Sequence, residues 1–116
     1  MPALPIIAIS IGDPNGVGVE IILKTFHDNS LFEQCIPVVY ASLDFVQIQQ
    51  TLFNTQVPLS LMEGAPKQGV LNIVAIWQDT LEVAFGKQTA KGGVAAFESL
   101  QAAATAVQKG QADALV

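Results

Sequence analysis

An apolar run followed at once by a dense turn is the feature that most constrains this fold. Residues 4–11 read Leu-Pro-Ile-Ile-Ala-Ile-Ser-Ile, and the turn-forming residues 12–16 (Gly-Asp-Pro-Asn-Gly) come directly after them. A strand that is apolar on both sides of its pleat is typical of a parallel sheet covered by helices on both faces. Apolar residues then recur at helical spacing, which predicts a helix over residues 17–27 with one apolar face of Val19, Ile22, Leu23 and Phe26. The sequence therefore begins with a strand, a tight loop and a helix.

A second strand and helix repeat this arrangement. Residues 36–41 have the β-branched and aromatic content of a strand. Ser42 is placed to cap the helix that follows, and we expect Phe45, Ile48 and Leu52 to form its buried face. Because strands alternate with helices, the predicted fold is α/β, with a parallel sheet in an αβα layered arrangement.

The second half of the chain is predicted to add two short strands and a long helix. The strands fall at residues 59–62 and 70–77, and they are separated by the turn-forming residues 64–66 (Gly-Ala-Pro) and Gly69. The helix covers residues 90–110, with Thr89 as its cap and Gly110 as its left-handed terminator. Its apolar face is expected to consist of Phe97, Leu100, Ala104 and Val107.

The end of the chain predicts a further element that is incomplete. Residues 112–116 (Ala-Asp-Ala-Leu-Val) resemble the opening of a buried strand, and the sequence stops within it. In open parallel sheets, ligands bind beyond the carboxyl ends of the strands. We therefore expect residues 1–116 to be the amino-terminal α/β portion of a longer protein.

Charge and composition narrow the class of ligand to small molecules. The formal net charge of −5 argues against nucleic acid and against an anionic membrane, because both bind clustered cations. All five basic residues are lysines, so this segment has no guanidinium to grip a phosphate through two parallel hydrogen bonds. Cys35 is the single cysteine, which suits a reducing compartment. With no leader and no long apolar span, a cytoplasmic location is expected.

The turn after the first strand carries the candidate site residues. These are Gly12, Asp13, Asn15, Gly16, Gly18 and Glu20. Glycines permit a positive φ and a close approach, and the free amides at a helix start attract an anion or polar ligand. The spacing matches neither the dinucleotide fingerprint nor a Walker loop. The carboxylates of Asp13 and Glu20 would repel a phosphate and favour hydroxyl, amine or cation contacts. Alternatively, these side chains only satisfy turn amides and the helix dipole.

Residues 7–24 resemble the amino-terminal signature of the 4-hydroxythreonine-4-phosphate dehydrogenase family, commonly Gly-Asp-Pro-Ala-Gly-Ile-Gly-Pro-Glu. Here Asn15, Val17 and Val19 replace the usual Ala, Ile and Pro, and none of these changes removes a group needed for chemistry. Residues 91–116 resemble the family's long helix and the start of its Ala-Leu-Val-Thr-Ala-Pro strand and loop. The two resemblances bracket the chain, although family members are several-fold longer.

This resemblance implies an oxidoreductase of pyridoxal phosphate biosynthesis. The implied fold is similar to that of isocitrate and isopropylmalate dehydrogenases, with two α/β domains around a cleft, of which only a part is present here. The implied reaction is NAD- or NADP-dependent oxidation of 4-phosphohydroxy-L-threonine, with decarboxylation to 3-amino-2-oxopropyl phosphate. A divalent metal (Zn, Mg or Co) would stabilise the alkoxide and then the enolate. In the family, histidines from both subunits of a homodimer hold this metal.

No catalytic or metal-binding residue is expected within the segment itself. His27 falls at the far end of the first helix, where it would favour the dipole or face solvent rather than bind metal. The resemblance places the metal, phosphate and acid/base groups beyond Val116, so the fragment alone is expected to be inactive. Trp77, Phe85 and Phe97 are interpreted as packing residues.

Two other functions are compatible with the same residues. The chain could come from a paralogous dehydrogenase of another 4-phosphorylated hydroxy acid, such as a phosphothreonate or phosphoerythronate. It could also be a non-catalytic α/β binding module, since a fold does not by itself determine function. Under the enzyme hypotheses, Asp13 is the first candidate for a ligand contact, as a hydrogen-bond acceptor.

Overall fold

The computed structural model describes residues 4–12, 16–77 and 90–116. In chain order the elements are β1 (Ile6–Ser10), α1 (Gly18–His27), β2 (Ile36–Ala41), α2 (Leu43–Phe53), β3 (Leu59–Leu61), β4 (Leu71–Ala75), α3 (Ala90–Gln108) and β5 (Ala114–Leu115), with a short 3₁₀ helix at Asn29–Glu33 between α1 and β2. These bounds agree with the predicted elements to within a few residues. The predicted cap Thr89 lies outside the described residues.

The strands of the described residues form one parallel sheet in the order β3-β4-β2-β1-β5. β1 and β2 lie side by side from Ile6 opposite Ile36 to Ser10 opposite Tyr40. On the other side of β1, Ala8 pairs with Leu115 of β5. The predicted α/β fold with a parallel sheet is confirmed.

Side chains alternate between two cores, one on each face of the sheet. On one face, Ile9, Val39 and Ile73 pack with residues of α1 and α2. On the other face, Ala8 and Val38 pack with residues of α3. Because both faces are covered, β1 and β2 are apolar along nearly their whole length, as the nearly unbroken apolar runs predict. The order of layers is therefore helices, sheet, helix.

The buried face of α1 is the one that its sequence predicts. Val19, Leu23 and Phe26 are all buried, and Ile22 is partly buried against the same core. Burial of each such side chain stabilises the fold by roughly 1.5–3 kcal/mol. A spacing of three and four residues between large apolar side chains was sufficient to identify this face.

The predicted buried face of α2 is wrong in two of its three positions. Ile48 is 46% exposed and Leu52 is 58% exposed, whereas Phe45 is buried as expected. The helix instead packs through Phe45, Val46 and Gln49. Gln49 is only 1% exposed although it is polar, and a pattern based on apolar residues does not include it.

The predicted apolar face of α3 is also wrong at its two largest residues. Phe97 is 63% exposed and Leu100 is 48% exposed, and Phe97 is therefore not the packing residue that was expected. The most deeply buried described positions are small and recur about every four residues: Ala95, Ser99, Ala103 and Ala106. Small side chains allow the helix to approach the sheet closely, and that approach sets the buried face here.

Trp77 packs against the core, as expected. Trp77 follows β4 and makes an edge-to-face contact with Phe45, with the ring centroids 5.9 Å apart. Trp77 is therefore confirmed as a packing residue, whereas Phe85 lies outside the described residues. The predicted terminator Gly110 has a φ of +75°, and this residue ends α3 in the left-handed conformation.

The single cysteine lies partly inside the fold. Cys35 is a half-buried free thiol, and burial raises its pKa above the ordinary value. Fewer thiolates at a given pH make such a thiol less reactive. Among the described residues, none of the helices has the length and apolarity that crossing a membrane requires.

The cap of α2 provides a test of the fold. Ser42 is buried, and its Oγ accepts a hydrogen bond from the amide of Phe45 at 3.2 Å. We expect Ser42→Ala to lower the free energy of unfolding by about 1 kcal/mol, because the amide loses its acceptor. Urea denaturation measures this change. Thr51→Ala, on the exposed side of the same helix, is the control and should stay within about 0.5 kcal/mol. Equal effects of the two substitutions would contradict the capping role.

Candidate functional site

The chain reverses its direction across the sheet beside β1, and this marks a candidate ligand site. From β1 the chain moves through α1 to β2 on one side, whereas β5 lies on the other side. The helix α1 packs on one face of the sheet and α3 packs on the opposite face. In open α/β sheets, ligands bind outside the carboxyl ends of the strands at such a reversal. The loop after β1 is therefore at the position where this topology favours a ligand.

Gly18 brings the start of α1 against the end of β1. A Cβ built on Gly18 would lie 2.3 Å from the carbonyl oxygen of Ile11, a distance that only glycine tolerates. At the other end of the loop, Gly12 is exposed and has a φ of +68°, which is unfavourable for other residues. Two of the predicted loop glycines thus have distinct physical roles, close approach for Gly18 and backbone conformation for Gly12.

The first turn of α1 has backbone amides without a partner inside the helix. Val17 occupies the N-cap position, and its side chain forms no capping hydrogen bond. The first amide that bonds within the helix is that of Ile21, which donates to the Val17 carbonyl at 3.0 Å. The amides before it are the ones that a helix leaves unpaired, and they carry the positive end of the dipole. This end of α1 can accept a polar or anionic group.

Glu20 forms an ion pair that the sequence analysis does not predict. Its carboxylate forms an ion pair with the ammonium of Lys24 one turn later, and its side chain is 28% exposed. The pair lies on one side of α1, in the i and i+4 arrangement that stabilises helices modestly. Because Lys24 offsets the charge of Glu20, repulsion of an anion at this helix end is weaker than the sequence alone suggests. This contact favours the structural interpretation of Glu20.

The remaining predicted site residues are only partly described. Gly16 is half-buried in a bend just before α1. Asp13 and Asn15 lie outside the described residues, so their proposed contacts stay predictions. The described loop therefore consists of Gly12 at one end and residues 16–20 at the other.

A buried serine at this end of the sheet was missed by the sequence analysis. Ser99 of α3 is 0% exposed, and the amide of Ile11 donates to its Oγ at 3.1 Å. The Ser99 hydroxyl in turn donates to the carbonyl of Tyr40 at 2.7 Å. In the sequence, Ser99 lies four residues from both Ala95 and Ala103, so these three small residues share one helix face. The larger apolar residues Phe97 and Leu100 predict a different buried face.

His27 is placed where the sequence predicts, at the end of α1 opposite the loop. The helix has 10 residues, which puts its two ends roughly 14 Å apart at 1.5 Å per residue. The Nδ1 of His27 accepts a hydrogen bond from the amide of Gln56 at 3.3 Å. This contact gives His27 a structural role away from the candidate site.

The described residues do not supply a metal site. Within residues 4–12, 16–77 and 90–116, no three side chains of His, Cys, Asp or Glu lie close enough together to hold a metal ion. The donor set that a catalytic divalent metal requires is thus not assembled by this part of the chain.

Similarity to known proteins defines the class of the chain. It is 34% identical over 112 residues to the 4-hydroxythreonine-4-phosphate dehydrogenase of Bacteroides thetaiotaomicron, covering 95% of the chain and 31% of that protein. It is 27% identical over 117 residues to the D-threonate 4-phosphate dehydrogenase of Cupriavidus necator, covering 97% of the chain and 35% of that protein. No protein-family model matches the chain. These relatives are dehydrogenases, and the chain spans about a third of their length.

A solved structure supports the same class. The fold matches the crystal structure of a 4-hydroxythreonine-4-phosphate dehydrogenase from Burkholderia phymatum with a TM-score of 0.86 and 25% sequence identity. The match covers 98% of the chain and 36% of that protein. The chain is thus similar to part of an α/β dehydrogenase. More particularly, its resemblance to the 4-hydroxythreonine-4-phosphate dehydrogenase family is confirmed.

The close contact at Gly18 provides a test of the site geometry. We expect Gly18→Ala to lower the free energy of unfolding by about 1–3 kcal/mol, because the new methyl group overlaps the Ile11 carbonyl. The control is Gly93→Ala in α3, where a Cβ meets no atom within 4 Å. That substitution should raise stability by up to about 1 kcal/mol through helix propensity. Chemical denaturation of both variants measures the two changes, and a shared sign would contradict the proposed contact.

Proposed function

We propose that the full-length protein containing this chain is an NAD- or NADP-dependent dehydrogenase that acts on 4-phosphohydroxy-L-threonine. The reaction oxidises the secondary alcohol, and decarboxylation then gives 3-amino-2-oxopropyl phosphate in pyridoxal phosphate biosynthesis. The observation that carries this proposal is the joint similarity in sequence and fold to proteins named for that activity, over nearly the whole chain. Because the chain spans about a third of those proteins, the proposal concerns the complete enzyme.

The contribution of this chain is the loop between β1 and α1, which helps to shape the substrate or cofactor site. The backbone amides at the start of α1 donate hydrogen bonds to an anionic or polar group of the ligand. Gly18 holds these amides against the end of β1. The carboxylate of Asp13 accepts a hydrogen bond from a hydroxyl or amino group of the ligand. Together these groups position the ligand but do not transfer a proton or hydride.

The rest of the chemistry is proposed to come from outside the described residues. A divalent metal, when bound, supplies positive charge that stabilises a developing alkoxide. In line with the family resemblance, we propose that its ligands belong to other parts of the enzyme. We also propose a homodimer, in line with the family resemblance. We propose the cytoplasm as its compartment, which is compatible with a single free cysteine, Cys35.

A second candidate function is oxidation of D-threonate 4-phosphate. The relative from Cupriavidus necator that carries this name covers as much of the chain, although at lower identity. The two substrates differ in one group, since threonine carries an amino group where threonate carries a hydroxyl. A carboxylate attracts a protonated amine more strongly than it attracts a hydroxyl. A contact between Asp13 and that group would therefore favour the amino substrate.

Substrate assays of the full-length protein test this proposal. We expect reduction of NAD or NADP with 4-phosphohydroxy-L-threonine to be more efficient, in kcat/KM, than with D-threonate 4-phosphate. The absorbance of the reduced nicotinamide reports the rate with each pair of substrate and cofactor. A higher kcat/KM for the threonate would establish the second candidate function. Absence of turnover with both substrates, in a folded protein supplied with divalent metal, would favour a non-catalytic module.

Asp13 provides a sharper test within the loop. We expect Asp13→Asn to lower kcat/KM for the amino substrate by about 10- to 100-fold, since a hydrogen bond to a charged group contributes about 1.5–3 kcal/mol. The matched control is Asp44→Asn, an exposed acidic residue in the first turn of α2, which should leave kcat/KM within about twofold. Steady-state kinetics of both variants measure the effect. If Asp13→Asn and Asp44→Asn behaved alike, the role of Asp13 would be refuted.

A further inference from the structure

Ser99 takes the place of a backbone hydrogen bond between β1 and β2. Along these strands the amide of Ile36 donates to the carbonyl of Pro5 at 2.8 Å, which fixes the ladder register. In a parallel ladder the bonds repeat every two residues. The same repeat places the Ile11 amide opposite the Tyr40 carbonyl, one step beyond the last strand pair. Instead of bonding to each other, both groups bond to the buried hydroxyl of Ser99.

A hydroxyl can fill this gap because it is both a donor and an acceptor. It accepts from the Ile11 amide and donates to the Tyr40 carbonyl, so neither buried backbone group is left unpaired. One oxygen atom therefore connects the two backbone groups at this level. Ser99 is anchored in the long helix α3, which packs against the sheet.

The position of Ile11 decides where the candidate loop leaves the sheet. Its amide is bonded to Ser99 from the α3 side. Its carbonyl lies against Gly18 of α1, where a Cβ would be 2.3 Å away. The peptide groups of Ile11 are thus restrained by both helices that flank β1, directly before Gly12. A shift of Ile11 would move both the loop and the first-turn amides of α1.

We propose that Ser99 is a positioning residue for the ligand-binding loop at the carboxyl end of β1. Its hydroxyl bridges Ile11 and Tyr40 and so sets the position from which Gly12 and the start of α1 approach the ligand. This inference rests on the proposed function, because it assumes that the loop meets a ligand. Without the hydroxyl, the Ile11 amide can bond directly to Tyr40, which preserves the fold but shifts the start of the loop. A misplacement of about 1 Å in such a site can lower the rate by about 100-fold.

The first experiment compares Ser99→Ala with Asn72→Ala in the full-length protein. Asn72 is 1% exposed, and its amide donates to the carbonyls of Pro37 and Lys67 at the amino end of the sheet. Both substitutions should lower the melting temperature. We expect only Ser99→Ala to lower kcat/KM, by at least about tenfold, and to change the amide chemical shifts of Gly12 and residues 16–19. If the two variants lose stability but neither alters these shifts or kcat/KM, Ser99 is merely structural and the inference is overturned.

A second pair of variants separates the hydroxyl from the volume of the side chain. Ser99→Thr and Ser99→Val add nearly the same volume, and only threonine retains a hydroxyl. We expect the loop chemical shifts of Ser99→Thr to stay closer to those of the wild type than the shifts of Ser99→Val. We also expect kcat/KM to be about tenfold higher for Ser99→Thr than for Ser99→Val. Equal impairment of both variants would show that the hydroxyl does not position the loop. If the wild-type protein has no dehydrogenase activity, the proposed function fails, and the chemical shifts of the same pair still decide the role of Ser99.

Discussion

The main chain of Ile11 is the point on which the candidate site depends. It directly follows β1 and is buried, and it contacts Gly18 of α1 on its carbonyl side and Ser99 of α3 on its amide side. Both contacts are with main-chain atoms of the strand, so they demand a small residue on each helix. The layered fold therefore does more than bury apolar surface. It fixes one peptide segment from two directions, at the place where the topology favours a ligand.

The sequence predicts those parts of the fold that depend on large apolar side chains. The unbroken apolar runs of β1 and β2 indicate a sheet covered on both faces, and the two cores confirm this. The spacing of Val19, Leu23 and Phe26 likewise identifies the buried face of α1. In each case burial of apolar area is the dominant energy, so the pattern of hydrophobicity is sufficient evidence.

The same reasoning fails where close approach, and not apolar area, decides the contact. In α3 the buried residues are small, and Phe97 lies 63% exposed because the helix presents Ser99 and its neighbours to the sheet. In α2 a buried amide, that of Gln49, replaces an expected apolar side chain. Close approach and hydrogen bonding between a helix and the sheet depend on the assembled fold. The spacing of apolar residues within one helix therefore does not predict them.

In the candidate site, too, one residue could be predicted from the sequence and another could not. Glycine at position 18 could be predicted, because a glycine at a helix start after a strand is typical of close main-chain packing. Ser99 lies 88 residues from its partner Ile11, and its importance comes only from the register of β1 and β2. An alanine there would match the packing stripe and leave the Ile11 amide and Tyr40 carbonyl to each other. Apolar packing therefore does not require the serine. Its hydroxyl is explained by the two hydrogen bonds through which it connects the ends of β1 and β2 where the loop begins.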